Sequence, residues 1–227
     1  RFGTRYITEE VEIPPPTKPK LKYQRKVAPT LKKNPNYKPS LDLPSQMPNS
    51  IEFQDVFIEG LGNGILLSGE ITEGAHLRFN GYLTENKLLN ISFVALNSPG
   101  GLVYEALLIG REIRERGIKT VLSSSAICLS ACPYIMMGGV DRIISSYSLL
   151  GVHQHYFTEN LAIPVYFAVE SVQAGQAEVF RHLKEMDIST DVMEYILSTP
   201  PEEMYIFRET ELEEYNLATE IIPISKR

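Results

Sequence analysis

The 227 residues are 43% hydrophobic and 22% charged, which fits one globular domain with a sizeable core plus an appendage. No run is long and apolar enough to span a bilayer, and two cysteines are too few for a disulfide-stapled mini-protein. The net charge of -6 is unevenly divided, since residues 1–50 hold ten Lys/Arg against four Asp/Glu and the remainder holds twelve against twenty-four.

The basic segment also contains nine of the fifteen prolines, in runs such as EIPPPTKPK and KKNPNYKPS. Proline removes an amide donor and fixes φ, so residues 1–50 are predicted to be an extended, polyproline-like arm. Such an arm serves either as a tether or as an element that wraps the acidic body of a neighbouring copy in a homo-oligomer. A nucleic-acid partner is not expected: prolines interrupt the basic residues, and the acidic body repels phosphate. The chain opens on Arg1 rather than a methionine, which leads us to expect an upstream signal or membrane anchor.

The body is predicted to run from residue 51 to 227. FQDVFIEGLGNGILLSGEI reads as short strands broken by glycines, and ISFVALNS (91–98) as a buried strand. YEALLIGREIRER (104–116) places Ala106, Leu107, Ile109, Gly110 and Ile113 on one helical face, with Gly117 as the stop. KTVLSSS (119–125) reads as a strand, SACPYIMMGG (130–139) as a short helix or turn, and DRIISSYSLLGVHQH (141–155) as containing one further strand. A long helix is predicted from Val165 to Met186, and a second starting at a Ser189 cap with Asp191 in its first turn. The alternation implies a layered α/β fold with mainly parallel strands.

In such folds chemistry gathers where strands end, and three junctions carry suitable residues: NSPGG (97–101), CLSAC (128–132) and GVHQH (151–155). Glycines after a strand leave backbone N–H groups free to face an anion. A serine opening a helix gains from its N-terminus, though it also serves as an ordinary cap. His153 after an apolar strand is equally a satisfied core residue when considered alone. His76 and His182 read as surface or packing residues. No phosphate loop or dinucleotide fingerprint is present, and no cofactor is implied.

Taken in this order, the three junctions resemble those of the ClpP/crotonase superfamily, specifically the ClpP-like serine peptidases of the extracytoplasmic branch. The resemblance spans roughly residues 67–221, including the closing EYNLATEI, and leaves residues 1–50 uncovered. It implies a layered fold of repeated β-β-α units, self-association into a homo-oligomer, and a peptide or protein substrate. By the same resemblance Ser130 is the nucleophile and His153 the general base. The N–H groups of Gly101 and Ala131 form the oxyanion hole, with Gly100 shaping the loop. Met204 falls about where the family carries its triad aspartate, so Glu202 and Glu203 are the candidate third members.

Cys128 and Cys132 leave three arrangements open. Near a helix start, residues four apart have Cα atoms about 6 Å apart, within disulfide range. Alternatively the pair stays as buried thiols, or joins His153 and His155 as zinc ligands. A disulfide implies a periplasmic or otherwise extracytoplasmic protein. Two functional readings follow: an ATP-independent serine peptidase, or a non-catalytic ClpP-like subunit that binds peptides or protein partners. An acyl-CoA enzyme ranks third, because it has no need of a paired Ser130 and His153.

Overall fold

The computed structural model describes residues 43–44, 46–85, 90–155 and 165–223. Residues 1–42 of the predicted arm lie outside these. Its last residues belong to the body: Leu43 packs on the core, and the Pro48 carbonyl accepts the Glu70 N–H at 3.1 Å.

In chain order the elements are β1 (Glu52–Ile58), β2 (Gly62–Ser68), α1 (Ala75–Glu85), β3 (Phe93–Asn97), α2 (Val103–Glu115), β4 (Lys119–Leu122) and β5 (Ile127–Leu129). There follow α3 (Cys132–Met137), β6 (Arg142–Ser145), β7 (Leu149–Val152), α4 (Val165–Glu185), α5 (Val192–Ser198), β8 (Tyr205–Ile206), α6 (Glu209–Glu214) and β9 (Glu220–Ile222). The main sheet has the order β1-β2-β3-β4-β6-β9, and every pairing except the antiparallel β1–β2 is parallel. A second, small sheet has the order β5-β7-β8, with β5 parallel and β8 antiparallel to β7. The protein is therefore α/β, with a mixed sheet of mostly parallel strands.

Strand alternation sorts the main sheet's side chains. Ile65, Leu67, Val94, Leu96, Leu122 and Ile144 join the large core that includes the helices. Leu66, Phe93, Ala95, Val121 and Ile143 form a smaller cluster, which Leu43, Val56, Ile58 and Leu61 help to cover. The α2 stripe is the predicted one, with Ala106, Leu107, Ile109, Gly110 and Ile113 buried and Gly117 ending the helix at φ 65°. Gly110 lets α3 approach closely, because a Cβ there would lie 2.4 Å from the Tyr134 carbonyl oxygen.

Several local expectations need correction. DRIISSYSLLGV holds two strands rather than one, because a serine-rich turn at 146–148 sends β6 to the main sheet and β7 to the small one. The strand leading into Ser130 is β5 and not the 119–125 run, since the chain turns at Ser124 and at Ser125, which has φ 66°. Ser189 accepts the Asp191 N–H at 3.3 Å in a preceding turn, and the α-helical residues begin at Val192. Twice the chain makes the same move, placing one strand in the main sheet, the next in the small sheet, and then a helix: β4-β5-α3 and β6-β7-α4.

Candidate active site

Strands β5 and β7 run parallel and side by side, with Leu129 opposite Gly151, so Ser130 and His153 leave the same end of the small sheet. The Ser130 N–H donates to the Gly151 carbonyl at 3.0 Å, which ties the serine turn to the strand carrying the histidine. Across that junction Ser130 Oγ and His153 Nε2 are 2.7 Å apart. When His153 carries its proton on Nδ1, Ser130 is the donor and Nε2 the acceptor. Burial lowers the His153 pKa below its ordinary value, opposed by a main-chain hydrogen bond at Gln154, so the neutral base is favoured near pH 7.

Ser130 has φ 61°, a left-handed conformation that costs a non-glycine residue about 1–2 kcal/mol. That sharp turn is bracketed by a disulfide: Cys128 and Cys132 are bonded, with Cα atoms 5.0 Å apart and both side chains fully buried. The disulfide removes the zinc alternative, because neither sulfur is available as a thiolate ligand. Among the described residues no cluster of His, Cys, Asp and Glu suits a metal ion.

The glycine loop lies directly against this turn. A Cβ on Gly100 would fall 2.5 Å from Ser130 Cβ, 2.7 Å from the Leu129 carbonyl oxygen and 3.0 Å from the Ala131 nitrogen, so only glycine fits. Gly101, at φ 138°, bridges Ile71: Ile71 N–H donates to the Gly100 carbonyl, and Leu102 N–H donates to the Ile71 carbonyl. In a parallel bridge of this kind the central residue's own N–H points the other way, so Gly101 N–H faces away from Ile71. Gly100 thus packs on the Ser130–Ala131 turn, and Gly101 is the next residue along the chain.

The proposed third members are placed differently. Continuing the β7/β8 register, in which Val152 pairs with Tyr205, sets Met204 opposite His153. The Met204 side chain is half-buried and lies against Gly151, whereas Glu202 and Glu203 are exposed on the turn before it. His155 is bound elsewhere: its Nε2 is 2.7 Å from the Tyr134 hydroxyl, and burial first, then the neighbouring His153, lower its pKa to about 4. His182 is the packing residue it was read as, fully buried with Nε2 2.9 Å from the Tyr134 carbonyl oxygen. His76 is half-buried on α1, 3.7 Å from Glu112.

Two contributors were missed in the sequence. Tyr134 joins His155 to α3, and Ser98 accepts the Gly100 N–H at 3.1 Å through its side chain. The second was open to discovery, because serine two residues before a glycine is a recurrent way to hold a loop amide. In comparison with known proteins, the chain matches no family model and no curated sequence.

Proposed function

We propose that the body is a ClpP/crotonase-type domain and that the chain is a serine peptidase acting without ATP on peptide or protein substrates. The twice-repeated strand–strand–helix move supports the fold assignment. The observation that carries the activity is the 2.7 Å contact between Ser130 Oγ, on its left-handed turn, and His153 Nε2.

In this reading Ser130 Oγ attacks the scissile carbonyl carbon while its proton passes to His153 Nε2. The oxyanion is received by the N–H groups of Gly101 and Ala131, where one donor is typically worth about 10²–10³ in rate. Collapse breaks the C–N bond, His153 returns the proton to the leaving amine, and water then hydrolyses the acyl-enzyme with His153 as base. A fluorophosphonate probe tests this. Labelling of Ser130, lost in Ser130→Ala and reduced at least about 100-fold in His153→Ala, is the expected result. A folded wild-type protein that takes no label overturns it.

One observation favours a second reading, a non-catalytic subunit that binds peptides or proteins. By continuation of the β7/β8 register Met204 falls opposite His153, about where the resemblance expects an aspartate, and a thioether supplies no negative charge there. Capture of extended peptides by a protein that never labels is the result this reading expects. For the assembly and its location, the charge division supports a homo-oligomer, and the Cys128–Cys132 disulfide supports an extracytoplasmic setting. Among the described residues no helix is long and apolar enough to cross a membrane.

A further inference from the structure

Ser98 sits immediately after β3 and is fully buried, with 0% of its surface exposed. Its main chain lies along β5: Ser98 N–H donates to the Ile127 carbonyl at 2.8 Å, and its own carbonyl accepts the Leu129 N–H at 3.1 Å. Those bonds fix the strand from which Ser130 and Ala131 emerge. The Ser98 hydroxyl oxygen turns the other way and accepts the Gly100 N–H at 3.1 Å. One residue therefore touches both halves of the site, the nucleophile strand through its backbone and the glycine loop through its side chain.

The side-chain tie matters because glycines at φ 107° and 138° have no side chain to define their own geometry. Ile71 secures one side of the loop, through the Gly100 carbonyl and Leu102 N–H. The Gly100 amide is secured by Ser98 Oγ, while the Gly100 α-carbon packs against Ser130 and Ala131. With Gly100 already in contact with Ser130, a movement of a few tenths of an ångström there changes the spacing of the Gly101 and Ala131 amides.

We propose that Ser98 is a positioning residue for the oxyanion hole, setting the separation of its two backbone donors through the Gly100 amide. The inference rests on the peptidase reading above. The test uses Ser98→Ala and Ser98→Thr in the full chain, with p-nitrophenyl acetate turnover and fluorophosphonate labelling as readouts. Ser98→Ala is expected to lower kcat and the labelling rate about 10- to 100-fold, short of deleting a donor outright. KM and the midpoint of the acid limb should stay in place, because the His153 environment is unchanged, and Ser98→Thr should recover activity to within about threefold by restoring the acceptor. In the wild type, the Gly100 amide should be protected from hydrogen exchange, a measurement that stands even if a variant fails to fold. Wild-type rates in Ser98→Ala, a KM and pH midpoint that move together with kcat, or an unprotected Gly100 amide each overturn this proposal alone. A wild-type protein that neither labels nor turns over ester overturns the peptidase reading, and this inference with it.

Discussion

His153 and His182 are both held neutral by burial, yet their titrations have different consequences. The folded pKa of His153 lies below 6.5, so the base form persists as pH falls through the ordinary histidine range. The decline in Ser130 labelling with falling pH should therefore be centred below pH 6.5; a decline centred above pH 6.5 contradicts this environment. His182, with its pKa lowered to about 4, governs stability instead. Because the unfolded chain takes up this proton first, the contribution is fully present above pH 6.5 and is lost between pH 6.5 and about 4, amounting to about 3 kcal/mol. Denaturant titrations at a series of pH values check this, and His182→Gln should remove its share of the loss while leaving that of His155, whose pKa is also lowered to about 4. Ser130, His153 and the two glycines became candidates in the sequence through the order of their three junctions and the resemblance that order carries, each being unremarkable alone. Met204 opposite His153 was not legible in geometric terms, because that placement depends on the register of two strands some fifty residues apart.

Among the elements, the strongly patterned ones were readable and the thin ones were not. α2 shows five buried positions at helical spacing, and β3 is a short, wholly buried run, apolar up to its last residue, Asn97. α1 buries only Ala75, Phe79 and Leu83, and includes Asn80, Gly81 and Thr84, all poor helix formers, so no periodic signal stood out. β5 has three residues and β8 two, below the length at which alternation can be recognised. β5 nevertheless carries the nucleophile turn, and its link to α3 is the Cys128–Cys132 bridge. For so small a loop the chain-entropy contribution is about 2 kcal/mol. The double variant Cys128→Ala/Cys132→Ala should lose about that much stability in denaturant titration. Its labelling rate, measured where the variant remains folded, should fall further, about tenfold or more, because the released chain can relax the left-handed Ser130. Unchanged labelling would mean that the turn holds itself.

At the scale of the whole molecule, charge and proline divide the sequence where the body begins, but the dividing line is earlier than residue 51. Leu43 packs on the core and Pro48 bonds to Glu70, so a truncation intended to remove only the arm should end at residue 42. Removing residues 1–42 is expected to lower the mass of the assembly or its resistance to salt, read by sedimentation at about 0.05 and 0.5 M salt. Identical behaviour of the two forms would make the arm a tether only. The layered α/β class was legible from the alternation of elements, whereas the division of strands between two sheets was not, because it is set at a serine turn with no glycine or proline to mark it. Both sheets share a further property. The small one is completed by β8 and the main one by β9, so residues 205–222 supply an outer strand to each. On a ribosome that emits residues in order, Ser130 and His153 are out long before the strand that borders His153. The nascent body therefore waits with two open edges, and during that interval pairing with another strand competes with folding.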